Sequence, residues 1–316
     1  ITEESVGCPS LSSMETEIIG ETTSAGNTIP VHMDKNALGA DGIIVLNRIK
    51  AHTGFKGRYE SGLCKMMTIG LGKQHGAAAA HSNGDDNMPE TISNVARVMI
   101  DKAPILMGIG LMENAFDKTY KIAFVKAEDI LEEEPVLLEE AKQAMAKIFL
   151  KETDVIILEK LGKNYSGGGM DPNVVGRSRL PIGIPSDRMG LFDLSDESHG
   201  NATGMGRADV CTRKFFEKIS FDDTYANAIT DHDSSVYKIP LVIDNEKEVI
   251  QCCMAICLHA DPKAFRIIIL KNSLEVETML ISEALIPEAE QQEKLTILSE
   301  PFELTFDGDG NLTTEY

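Results

Sequence analysis

Between positions 52 and 81 stand a lysine and three histidines whose side chains could move a proton, attack a carbonyl-like carbon or hold a metal: Lys65, with His52, His75 and His81. They sit in IKAHTGFKGRYESGLCKMMTIGLGKQHGAAAAH, an apolar, glycine-rich run. An imidazole changes charge near neutrality, so it can pass a proton in either direction or ligate a metal while neutral. His52 closes the segment GIIVLNRIKAH, just past a strand's carboxyl end, where open α/β sheets carry their ligand loops. The alternative is a solvated, hydrogen-bonded loop histidine. Lys65 lies in SGLCKMMTIGLGK, where a lysine either snorkels to water or is kept for its amine. Desolvation would lower its pKa and free a neutral nucleophile. His75, in the polar GKQHG, reads as part of an exposed turn, whereas the four alanines after Gly76 form a compact helical turn that leaves His81 at its end.

Other stretches invite chemistry and are weighed against plainer readings. Glycines 70, 72 and 76 fit neither the G-x-x-x-x-G-K-[ST] phosphate loop nor G-x-G-x-x-G, so no nucleotide loop follows from their spacing. In QCCMAICLHAD, Cys253, Cys257 and His259 suggest a metal, but the spacing is neither a paired C-x-x-C zinc pattern nor an iron–sulfur run, and buried thiols on a helix explain it as well. The loop KNYSGGGMDPNVVGR follows the strand DVIILEKLG, and its three glycines would let a backbone approach a ligand closely, with Lys163 and Arg177 supplying local positive charge. A plain flexible loop reads equally well.

The elements that must position these residues alternate between strand and helix. METEIIGETTSAGNTIPVHMD reads as two strands around a turn at 24–27. GIIVLNRI (42–49) has almost no polar alternation, the mark of a strand buried on both faces. ILMGIGLME (105–113) and YKIAFVKA (120–127) are further strands joined by NAFDKT. A helix follows, with Pro135 in its first turn, Glu132, Glu133 and Glu134 against its dipole, and an apolar stripe of Val136, Leu137, Ala141, Ala144, Met145 and Ile148. DVIILEKLG (154–162) restarts the buried-strand pattern, VVGRSRLPIGIPSD is irregular, 243–262 reads as helix and FRIIILKNS as strand. A chain of 316 residues, 42% of them hydrophobic, suits two domains better than one core. The expectation is α/β: two mixed α/β domains, 1–150 and 151–316, with the active site in the cleft between them.

Composition narrows the partners. The formal charge of −20, from 50 acidic and 30 basic residues, repels phosphate backbones and anionic membranes, so neither nucleic acid nor a membrane is an expected partner. An anionic substrate would need its own cluster of cations. No apolar run reaches the roughly 20 residues of a membrane span. Six unevenly spaced cysteines read as reduced thiols in a cytoplasm. ITEESVGCPS has neither the initiator methionine nor a leader pattern, and reads as a start inside a domain.

The segments IKAHTGFKGRYESGLCKMMTIGLGKQHGAAAAH and EKLGKNYSGGGMDPNVVGR resemble the nickel-pincer-dependent lactate racemases and related 2-hydroxyacid isomerases. In that family a histidine follows a strand, a lysine lies in an SGG-x-K-like segment, and a second histidine lies sixteen residues further on. His52, Lys65 and His81 stand at those positions. The resemblance implies that Lys65 is joined through a thioamide to a pyridinium mononucleotide whose ring carbon and two sulfurs hold nickel, with His81 as fourth ligand. An N/S site of this kind suits square-planar Ni(II). It further implies that His52 is a general acid/base, that Gly168, Gly169 and Arg177 contribute to cofactor binding, and that cofactor-synthesis enzymes act on this chain. The expected activity is racemisation or epimerisation of a small-molecule 2-hydroxyacid by reversible hydride transfer, in a cytoplasmic protein that could be a homo-oligomer.

Two departures accompany the likeness. The family's other catalytic histidine lies in a segment expected ahead of ITEESVGCPS, and SGLCK replaces SGG-x-K, which points to a divergent subgroup. A different class of reading is a catalytically inactive α/β binding protein of the same fold. An ordinary nicotinamide dehydrogenase is disfavoured by the missing G-x-G-x-x-G.

Overall fold

The computed structural model describes residues 2–231, 234–257 and 261–316. The protein is α/β, and its chain divides into two compact units, Ile1–Met145 and Ala146–Tyr316, where the sequence reading set a boundary near residue 150.

The first unit begins with the hairpin β1 (Thr16–Ser24) and β2 (Asn27–Asp34), paired down to Ser24↔Asn27. Ala25 and Gly26 make the turn with φ of +47° and +81°, the positive values that two-residue hairpins need to match strand twist. A separate sheet follows the order β3 (Ile43–Arg48), β4 (Ile105–Glu113), β5 (Thr119–Lys126), with β3 parallel and β5 antiparallel to β4.

Burial of β3 on both faces is corrected by the structure. Val45 is 3% exposed, but Ile44 and Leu46 are each 55% exposed. The sheet packs one face on the core, and β3 carries apolar residues on the other face as well, so hydrophobicity alone conceals the alternation. Ile122 and Phe124 of β5 are exposed too.

The core of this unit gathers Val31 and Met33 from the hairpin, Leu63 and Met67, Ile92 and Met99 from the helix Met88–Lys102, and Ile130 and Leu138 from the helix Ile130–Ala144. That last helix starts earlier than the sequence suggests, so Pro135 lies inside it. A helical proline cannot donate to the carbonyl four residues back. Here that carbonyl, Leu131 O, accepts instead from the Tyr59 hydroxyl at 2.6 Å. The earlier start also turns the helix: Val136 is exposed, while Glu134, expected to complement the dipole, is buried beside Leu137, Leu138 and Ala141.

The second unit is built on a six-stranded sheet of order β11-β10-β6-β7-β8-β9. Its strands are β6 (Thr153–Leu161), β7 (Ser186–Leu194), β8 (Val210–Thr212), β9 (Leu241–Ile243), β10 (Ile267–Leu270) and the antiparallel edge β11 (Leu280–Ile281). The other pairings are parallel. Val155, Ile156, Ile157 and Leu158 are fully buried, with alternate residues feeding separate apolar clusters, so β6 has the two-sided burial its sequence implies. The helix expected over 243–262 is shorter, Glu246–Ala255, because Ile243 ends β9 and the Asn245 side chain caps the Glu248 amide. Among the described residues no helix is long and apolar enough to cross a membrane.

Candidate active site

β3 ends at Arg48, and the chain makes a loop that returns to itself through a two-way bridge, Lys50 N–H to Ser61 O at 3.0 Å and Ser61 N–H to Lys50 O at 3.3 Å. Asn47 donates to Gly62 O at 2.8 Å. The loop between is gathered around the Glu60 carboxylate, which is wholly buried. That carboxylate accepts from His52 N–H at 2.6 Å and Gly57 N–H at 3.3 Å, and pairs with the ammonium groups of Lys56 at 3.2 Å and Lys142 at 3.0 Å. A buried anion with two cations and two amides is satisfied, and it fixes the backbone that presents His52.

Beyond the bridge comes a short helical turn, Leu63–Lys65, whose Cys64 N–H donates to the buried carboxylate of Glu134 at 2.8 Å. Burial raises the Glu134 pKa against this backbone donation. Lys65 therefore stands one residue beyond a carboxylate-capped helix start. The chain continues as a π-helical turn, Met66–Leu71, closed by Gly72 N–H to Met67 O at 3.1 Å. Such turns are rare and recur at functional sites. Gly72 is required there, because a Cβ would sit 2.1 Å from Thr68 O. Lys73 then takes a φ of +51°, held by an ion pair to Asp34 at 2.7 Å, and the helix Lys73–His81 ends at the exposed His81.

His52 stacks on Phe55 with ring centroids 3.9 Å apart, and its Nδ1 accepts from Gly54 N–H at 3.0 Å, which puts the proton of the neutral ring on Nε2. Burial, and then the charges of Lys65, Lys56, His81 and Lys50, bring its pKa down to about 2. Lys65 lies over the other neighbour of that stack, its Nζ 5.8 Å from the Phe55 centroid. Burial, followed by the charge of Lys50, lowers its pKa from 10.5 to about 8. Among the described residues the Lys65 ammonium has no hydrogen bond or ion pair. Phe55 and Lys50 are members of this site that spacing does not reveal; the only sequence signal is their place in the loop that closes on Ser61. A cavity of about 300 Å³ lies here, lined by Asn47, Arg48, Lys50, Ser61 and Lys65 together with Met66, Ile69 and Gly70 of the turn.

The charges of Lys65 and of His81 both act on His52, whereas for Lys65 the charge that matters after burial is that of Lys50. His75 instead stacks on His32 of β2 with centroids 5.4 Å apart.

In the second unit the glycine loop folds on itself. Gly162 N–H donates to Gly169 O, and Gly169 N–H to Ser166 O at 2.7 Å. Gly169 has a φ of +82°, and a Cβ there would lie 1.8 Å from Thr203 O, so close backbone packing demands this glycine. Gly168 O lies against Gly204. Lys163 Nζ donates to Asn227, and Arg177 donates to Arg207 O, Asp187 O and both oxygens of Asp209. The guanidinium, and with it the charge expected for an anionic ligand, is engaged inside the unit. Cys253 and Cys257 are buried thiols whose pKa values burial pushes up, against the thiolate a metal requires. His259 lies outside the described residues. Among the described residues no three His, Cys, Asp or Glu side chains converge as a metal-binding group.

No family model matches the chain, and no curated protein matches it either. Among solved structures it is similar to a structural-genomics crystal structure of a protein from Thermotoga maritima, with a TM-score of 0.40 and 13% identity. The likeness covers 56% of this chain and 47% of that one, so less than half of that structure's length is spanned.

Proposed function

We propose that this chain is a racemase or epimerase of a 2-hydroxyacid that works with a nickel-pincer pyridinium nucleotide attached to Lys65. The observation that supports it best is the Lys65 amine itself: unpaired, lining a cavity, and brought to about 8 by burial and Lys50. Near pH 8 roughly half of such lysines are neutral nucleophiles, whereas an ordinary one is almost wholly protonated.

The residues present fit the group. Lys65 would hold it covalently, and His81, exposed at a helix end, would supply one imidazole to a metal that the cofactor's own carbon and sulfurs otherwise ligate. That donor set asks for no cluster of three protein ligands. When bound, the cofactor supplies the acceptor for the C2 hydride.

The rest is the work of this chain. Glu60 anchors the His52 backbone, and Phe55 holds the imidazole in place by stacking. With its proton on Nε2, His52 would donate to a carbonyl or hydroxyl oxygen brought against that nitrogen, although its ring is not part of the cavity's lining. Serving as base requires the other tautomer, and so release of the Gly54 N–H. Acylation of Lys65 abolishes the charge that, after burial, depresses His52 most. Attachment therefore moves His52 toward the range in which a base is useful. The test is interconversion of the two enantiomers across a panel of C2-deuterated 2-hydroxyacids by cofactor-loaded protein, with the deuterium kept at C2, as a hydride that leaves and returns requires. Interconversion abolished by Lys65→Arg supports the reading; a loaded protein silent across the panel, or one that exchanges the C2 deuterium with solvent, contradicts it.

The tied Nδ1 and depressed pKa of His52 favour one other reading, a binding protein that holds its ligand without turning it over. Saturable binding of a 2-hydroxyacid, with no interconversion of its enantiomers, would decide for it.

A further inference from the structure

Lys50 shares the Lys65 cavity, and among the described residues neither ammonium has a hydrogen bond or ion pair. The Ser61 hydroxyl beside them has no partner there either. The third cation lining the cavity, Arg48, is paired with Glu113 at 3.1 Å. Acidic residues outnumber basic ones 50 to 30 in this chain, yet none lines the cavity. Two like charges held together with their water partly removed repel each other, and such an arrangement is relieved by an anion between them. The backbone there is rigid: the two-way bridge locks Lys50 beside Ser61, Asn47 ties Gly62, and Glu134 caps the turn that carries Lys65.

We infer that Lys50, Ser61 and Lys65 form a subsite for a small oxyanion, a phosphate monoester or a carboxylate, on the molecule that occupies this cavity. Lys50 is the charge that stays when Lys65 is acylated, so it is the group that orients the anionic end of a bound molecule. The inference rests on the cavity and holds whether or not Lys65 carries a cofactor. The other charged or titratable groups about it are His52 and His81, Lys56 on Glu60, and Arg48 on Glu113.

The test uses the full chain without cofactor. Its lysines are acetylated with acetic anhydride, an uncharged reagent, and the rate at Lys65 is read by peptide mass at pH 7.5. An anion between the two ammoniums stabilises their charged forms and shields Lys65. Inorganic phosphate should therefore slow labelling saturably, with a midpoint near 1 mM, as about −4 kcal/mol of binding gives. Lactate in place of phosphate distinguishes the two sources: protection by phosphate alone assigns a phosphate monoester, and protection by lactate alone assigns a carboxylate. In Lys50→Gln two changes are expected together. Protection disappears, and labelling without anion slows by about threefold, because removing a like charge returns Lys65 toward its ordinary pKa. Lys50→Arg should restore protection. Fast labelling of Lys65 that neither anion slows up to 50-fold above that midpoint overturns the inference, and needs no variant to fold. Protection that survives in Lys50→Gln overturns the role of Lys50. Neither result bears on nickel or on attachment, which are read by separate measurements.

Discussion

Lys65 carries a stability signature that can be read without any ligand. Below pH 8 both the folded and the unfolded chain hold its proton; between about 8 and 10.5 only the unfolded chain does, so folding gains stability as pH rises through that window. The gain attributable to this one side chain is about 3 kcal/mol across the whole window, about 2 kcal/mol of it between pH 8 and pH 10, and it should vanish in Lys65→Met, which keeps the stem and removes the amine. Denaturant unfolding of both proteins at pH 8 and pH 10 measures the difference. Parallel pH dependence in the two would show that Lys65 is not desolvated. Glu60 is the other decisive side chain. Its carboxylate is fully buried among His52 N–H, Gly57 N–H, Lys56 and Lys142, and Glu60→Ala strands two cations and two amides. A loss of about 3–5 kcal/mol is expected by urea unfolding. A loss below 1 kcal/mol would mean that water takes over the carboxylate's role.

Among the elements, legibility in the sequence followed the strength of the local signal. The hairpin was legible because Ser-Ala-Gly-Asn supplies the positive φ its turn needs, and β6 because Val-Ile-Ile-Leu is buried on both faces. β3 reads the same way and is not, since Ile44 and Leu46 are exposed apolar residues. The Ile130–Ala144 helix escaped its true start because an interior proline normally ends or kinks a helix, whereas here the distant Tyr59 hydroxyl satisfies the carbonyl that Pro135 leaves open. Tyr59→Phe should therefore cost about 1–3 kcal/mol, more than the loss of an exposed hydroxyl, in thermal or urea unfolding. An unchanged midpoint would contradict the pairing. The π-helical turn after Lys65 had no readable pattern beyond Gly70 and Gly72, and the bridge from Lys50 to Ser61 is a tertiary contact. His52, Lys65 and His81 stood out by residue type, but their spacing gained a meaning only through the resemblance to a known family. Phe55 and Lys50 did not stand out, because their part depends on how the loop closes.

At the scale of the molecule, each unit has its own apolar clusters and its own sheets. Every residue lining the Lys65 cavity belongs to the first unit. Residues 1–145 produced alone should fold cooperatively and acetylate Lys65 as fast as the whole chain; a slow, ordinary lysine in that fragment would show that the cavity is not complete within it. In the second unit the glycines at 168 and 169 and Arg177 are committed to backbone packing and to Asp209. The central claim is the attachment at Lys65. Its most direct measurement is the intact mass and nickel content of the chain produced together with cofactor-synthesis enzymes. The account predicts a nucleotide-sized adduct localised to Lys65 with one nickel per chain, and in His81→Ala an adduct that persists while nickel falls. An unmodified Lys65 in nickel-free protein, made alongside a nickel-pincer lactate racemase that loads fully, would contradict it.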